Sequence, residues 1–192
     1  MSPGKRQAPT RHVALLRGIN LGARHKVAMP ALRALFESLG HEDVETYIQS
    51  GNVAFRAAPG SGAGLATDLE AAITKEFGFP VPVVVRAAKD LEKVMAANPF
   101  LAGGADPSAL HVVFLGSAPA PGALARLDPD RSPGDGFAAA GAEVYLHCPN
   151  GFGRSKLGLD WFERILKTPA TIRNWRTVTR MAELSRASSV TP

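Results

Sequence analysis

His12-Val13-Ala14-Leu15-Leu16-Arg17-Gly18-Ile19-Asn20 begins as an apolar strand and ends on groups that hydrogen-bond. Side chains alternate faces along a strand, so Val13, Leu15, Arg17 and Ile19 share one face and Ala14, Leu16, Gly18 and Asn20 the other. Both faces are apolar, which predicts a central strand covered on each side. Downstream, Tyr47-Ile48-Gln49-Ser50-Gly51-Asn52 repeats the pattern of amides placed where a strand should continue. A buried amide or guanidinium without partners costs about 1–3 kcal/mol or more, so these residues must pair with one another, with backbone or with a ligand.

Met29, Leu32, Leu35, Phe36 and Leu39 recur at helical spacing, with Pro30 near the start and Gly40 at the end. Val44 to Gln49 and Asn52 to Arg56 alternate around Ser50-Gly51, which predicts a hairpin. Leu65, Leu69, Ile73 and Phe77 make a helix face ended by Gly78, with Thr67 and Glu70 in capping-box spacing. Val81 to Val85 reads as a strand that Pro82 confines to a sheet edge. Leu91, Val94 and Met95 mark a further helix. The order β-α-β-β-α-β is the split arrangement of ferredoxin-like domains, here followed by a helix.

The pattern then starts again. His111 to Leu115 is apolar on both faces, Ala123 to Leu127 reads as a short helix, and Gly136 to Ala140 and Glu143 to Cys148 are strands around Gly141. Leu157, Trp161, Ile165 and Leu166 form a helix face, Thr171 to Arg173 a short strand, and Val178 to Leu184 a closing helix. The predicted fold is therefore α+β, with two tandem ferredoxin-like repeats (βαββαβ plus helix) packed together. The repeats span 11–102 and 108–185, and the polar tails 1–10 and 186–192 are expected to be disordered.

Ferredoxin-like strand order, 4-1-3-2, puts the end of strand 1, the end of strand 2 and the hairpin at one rim of the sheet. Arg17, Asn20, Gln49, Ser50 and Asn52 converge there, beside a loop holding Arg24, His25 and Lys26. Residues 150–192 carry eight Lys/Arg against three Asp/Glu, whereas the remainder carries fourteen of each. This is either a solvated helix face or the mark of an anionic partner. Arg154, Lys156, Arg173, Asn174 and Arg176 extend the candidate ligand-binding set into the second repeat, with Asn174 also placed to cap the last helix. Two readings stay open. The rim binds an anion, or its polar groups only lock the fold, with Arg17 paired to an acid of its own repeat such as Glu45.

No catalytic, Walker, zincin or EF-hand motif is present, and the five histidines have no ligand spacing. The single cysteine, Cys148, sits on the apolar parity of its strand and excludes an internal disulfide. No metal or cofactor is expected. No apolar run approaches the roughly 20 residues that cross a bilayer, and a cytoplasmic location is expected. The expected function is binding of nucleic acid or a phosphorylated small molecule. The alternatives are an enzyme acting on a phosphorylated or nucleotide-like metabolite, or a structural or partner-binding protein without a ligand.

Arg17 to Gly22, Lys26-Val27, Tyr47 to Val53, Gly153 to Leu157 and Ala170 to Val178 together resemble the bacterial domain-of-unknown-function 1697 proteins, over about residues 11–185. The chain departs at Ala23, His25 and Gly158-Leu159, where glycine, asparagine and Thr-Asn are usual. The resemblance implies an α+β fold with ferredoxin-like parts and no assigned activity.

Overall fold

The computed structural model describes residues 11–186. The first half contains β1 (Arg11–Leu16), α1 (Met29–Ser38), β2 (Glu42–Tyr47), β3 (Asn52–Arg56), α2 (Leu65–Phe77), β4 (Val83–Ala87), α3 (Ala88–Ala96) and the single turn α4 (Pro99–Ala102). The second contains β5 (Leu110–Leu115), β6 (Gly136–Ala140), β7 (Glu143–His147), α5 (Leu159–Leu166), β8 (Ala170–Asn174) and α6 (Trp175–Arg186). Two four-stranded antiparallel sheets result, in the orders β2-β3-β1-β4 and β6-β7-β5-β8. The doubly apolar strands β1 and β5 occupy equivalent central positions.

Alternation along the strands divides the interior into three regions. Ala14, Leu16, Val53 and Phe55 face outward from the first sheet onto α1 and α2. Val113, Leu115, Val144 and Leu146 face outward from the second sheet onto α5. Val13, Leu15, Val112, Phe114 and Tyr145 face a shared seam, which α3 and α6 fill with Leu91, Val94, Trp175, Val178 and Met181. Burying one such side chain stabilises by about 1.5–3 kcal/mol, so neither sheet is complete without the other. Arg86 of β4 also crosses the seam, donating to Glu143 at 2.7 Å and to the Leu115 carbonyl at 2.6 Å.

Several local expectations change. Ile19 packs with Ala14 and Leu16 rather than with Val13 and Leu15, because β1 ends at Leu16 and Gly18, at φ +71°, breaks the alternation. Thr67 and Glu70 form no capping box. The N-cap is Gly64, and Glu70 instead accepts from the Val83 N–H at 2.8 Å, tying α2 to the start of β4. The segment around Ala123 is a 3₁₀ turn, Leu124–Arg126, so the second half lacks a full first crossover helix. The predicted tails 1–10 and 187–192 lie outside the described residues. Arg186, expected in the disordered tail, instead ends α6 and pairs with Glu92 at 2.7 Å. Cys148 is fully buried in the second outer core, where desolvation pushes its thiol pKa up.

The β2–β3 turn must pass close to the end of β1, and one glycine permits it. Gly51 has φ +74°, and a Cβ there would lie 2.7 Å from Leu16 Cβ and 2.8 Å from Ile19 Cδ1. Gly22 also has positive φ, at +66°, but open space around it. Urea unfolding should show Gly51→Ala losing about 2–4 kcal/mol and Gly22→Ala only about 1 kcal/mol, because overpacking adds to the left-handed backbone cost. Equal losses would contradict this close approach.

Candidate functional site

Thr171 and Arg173 occupy the seam-facing positions of β8, where the cross-strand neighbour Val112 is apolar. Arg173 is only 9 % exposed. Its Nε donates to Asn52 Oδ1 at 2.5 Å, and its Nη1 to Thr171 Oγ1 at 2.6 Å and the Ile172 carbonyl at 2.8 Å. Its Nη2 donates to the Leu16 carbonyl at 2.6 Å and the Ser50 carbonyl at 3.1 Å. A guanidinium has five N–H donors, and these contacts use them all. No carboxylate pairs with Arg173 among the described residues. Burial pushes its pKa down to about 10, which still leaves it charged at neutral pH. The charge is held by backbone dipoles, one amide and one hydroxyl, three of the five acceptors coming from the other half of the molecule.

Asn52 is fully buried and equally committed. Its Nδ2 donates to the Tyr47 carbonyl at 3.0 Å and Ser50 Oγ at 2.9 Å, while its Oδ1 receives Arg173. Asn20 closes the neighbouring loop. Its Oδ1 accepts from the Val27 N–H at 2.9 Å, and its Nδ2 reaches the Val27 and Gln49 carbonyls at 2.9 and 2.8 Å. The left-handed backbone of Asn20, φ +56°, suits asparagine. Asn174 accepts from the Thr177 N–H at 2.9 Å and caps α6. All three asparagines therefore hold structure together.

Beside this network lies an open cleft of about 610 Å³ between the halves. Gly18, Ile19 and Leu21 form one wall, and Phe152 with Gly158, Leu159 and Asp160 the other. Ser50, Thr171 and Arg173 reach the cleft between them. Arg17 lines it too, and its Nη2 pairs with Glu163 at 2.7 Å and Asp160 at 3.1 Å. These acids come from α5, not from the first half. The Glu45 pairing considered from sequence is not formed, since Glu45 faces Arg11 at 4.0 Å. Arg17 differs from Arg173 in having donors to spare. Its Nε is shielded from solvent and has no partner.

The remaining sequence candidates are dispersed. The Gln49 side chain is exposed, and only its carbonyl joins the network. Lys26 is exposed on the loop of the first wall, and Arg154 and Lys156 are exposed on the segment of the second. Arg176 is exposed and lines a different groove, of about 840 Å³, with Tyr47, Trp175 and Arg180. Sequence reading missed Asp160, Glu163, Phe152 and Leu159. The i, i+3 spacing of the two acids on a predicted helix was a usable signal, but nothing local says that they face Arg17. Among the described residues no cluster of His, Cys, Asp or Glu is arranged to hold a metal.

Removing one partner of the Arg173–Asn52 contact strands the other in the seam. Arg173→Ala should cost about 3–5 kcal/mol in chemical denaturation, and Asn52→Ala somewhat less. The double variant should lose less than the sum by about 1–3 kcal/mol. Strict additivity would show that the two residues act independently.

Among solved structures, the chain is similar to the conserved bacterial protein SP0830 from Streptococcus pneumoniae. The identity is 24 % and the TM-score 0.72, with 93 % of this chain and 99 % of that one covered. At that identity the likeness speaks for the fold, and its coverage extends to both sheets. No curated protein matches. No helix among the described residues is long and apolar enough to cross a membrane. The family model described as "Protein of unknown function (DUF1697)" matches residues 10–145, which takes in the Arg17–Asn20 and Tyr47–Asn52 stretches and stops short of Arg173. By that match over most of its length, the chain belongs to the DUF1697 family.

Proposed function

We propose that the protein binds a phosphorylated small molecule in the cleft between its two halves, which we read as tandem ferredoxin-like repeats spanning 11–102 and 108–185. The observation that carries this reading is Arg17. It lines the cleft while its Nε, out of contact with solvent, has no acceptor. An anionic oxygen entering the cleft can take a charge-assisted hydrogen bond from Nη1, which is not shielded and which no acceptor among the described residues holds, since both acids take Nη2. Two further features favour negative charge there. Arg173 contributes a positive charge with no carboxylate partner among the described residues. The amino end of α5 (Gly158, Leu159 and Asp160) opens onto the cleft without a side-chain cap. The exposed Lys26, Arg154 and Lys156 on the flanking segments add long-range attraction.

A small ligand is favoured over nucleic acid because the basic residues do not form one stripe. Arg176 and Arg180 face a separate groove that also holds Asp106 and Glu183, and Arg180 is paired with Glu183 at 3.0 Å. The competing reading, that the polar motifs only fix the fold, draws support from the closed bonding of Asn20, Asn52 and Arg173. It accounts for those residues and leaves the spare donors of Arg17 unexplained.

Calorimetric titration with ribose 5-phosphate at low salt should detect binding that weakens as salt rises. Arg17→Met should weaken it about tenfold or more, the worth of a charge-assisted hydrogen bond. Absence of binding at low salt by ribose 5-phosphate, methyl phosphate and a short single-stranded oligonucleotide would refute anion binding. Tight binding by the oligonucleotide alone would restore the nucleic-acid version.

A further inference from the structure

Resting on that reading, we infer that Asp160 is a specificity-determining residue, which makes the cleft selective for phosphate esters bearing hydroxyl groups over bare anions. Arg17 meets two carboxylates, and they are not equivalent. Glu163 is a structural partner: its side chain is 20 % exposed, one oxygen takes Arg17 at 2.7 Å and the other accepts from the Ala170 N–H at 2.8 Å. Asp160 lines the cleft, its side chain is 96 % exposed, and it reaches the same Nη2 at 3.1 Å. An ion pair that exposed adds little to stability.

The charges also nearly cancel. Arg17 and Arg173 stand against Asp160 and Glu163, so a simple anion gains two cations and meets a solvated carboxylate at the cleft wall. That repulsion disfavours a ligand that brings negative charge alone. A ligand with a phosphate for Arg17 and a hydroxyl for Asp160 satisfies both, since an ionised carboxylate only accepts hydrogen bonds. Leu21, 72 % exposed, and the Phe152 and Leu159 side of the cleft offer apolar contact to the carbon skeleton joining the two groups. Asp160 also lies in the first turn of α5, where an acid favours the helix dipole. That structural role predicts no selectivity among ligands, so selectivity separates the two.

The test compares ribose 5-phosphate with methyl phosphate, which shares the phosphate ester and lacks hydroxyls, on the full chain and on Asp160→Asn. Wild-type protein should prefer ribose 5-phosphate by about tenfold or more. Asp160→Asn should bind methyl phosphate more tightly than wild type and ribose 5-phosphate no more tightly, so the preference shrinks. Asp160→Ala should shift both affinities in the same directions, which guards against a contact peculiar to the amide. If wild type binds both ligands equally, or the variants keep the wild-type ratio, Asp160 does not set specificity while anion binding stands. If neither ligand binds at low salt, anion binding itself fails and Asp160 falls with it.

Discussion

A single arginine, buried in a seam built for apolar side chains, fixes how the two halves meet. Arg173 stands on the edge strand of the second sheet, yet three of its acceptors (Asn52 Oδ1 and the Leu16 and Ser50 carbonyls) belong to the first half. Moving such a charge from water costs several kcal/mol, which only a complete set of acceptors can offset. The acceptors are complete only when the end of β1, the β2–β3 turn and β8 lie in one arrangement. Apolar packing alone tolerates small slides between layers, whereas a five-donor fork does not.

The local peculiarities of the first half follow from that demand. The end of β1 must leave the Leu16 carbonyl open to Arg173 across the seam, and the strand stops there, with Gly18 turning the chain away. The turn after β2 must bring the Ser50 carbonyl alongside, and Gly51 lets it pass within contact of Leu16 and Ile19. Asn20 then ties the outgoing loop back to the Gln49 carbonyl. The same contacts leave the cleft open: Arg173 closes the seam behind it, and Arg17, held across it by α5, faces a space that no side chain fills.

Much of this was legible in the chain itself. Two-faced apolar strands at His12–Leu16 and His111–Leu115 identified the centres of both sheets; β4 is an edge as expected, although it begins at Val83, after the Pro82 expected within it. Strand order brought Arg17, Asn20 and Asn52 to one rim. What stayed hidden was pairing over long separations. Asn52 and Arg173 are 121 positions apart, and Arg17 and Asp160 are 143 apart. Nothing in the local pattern of Thr171-Ile172-Arg173 distinguishes an arginine that crosses a seam from one that lies on a surface. Parity also misled where a positive φ intervened, as at Ile19. The Thr67–Glu70 spacing misled because Glu70 had a better use at the Val83 N–H.

Arg173 is a saturated, protein-bonded cation at the base of the cleft. Nitrogen-detected NMR of the arginine side chains addresses it directly. The Arg173 Nε–H should exchange slowly at neutral pH, unlike that of exposed Arg24, and should shift on titration with a phosphate ester without losing its protection. Fast exchange in the free protein, at a rate like that of Arg24, would contradict it.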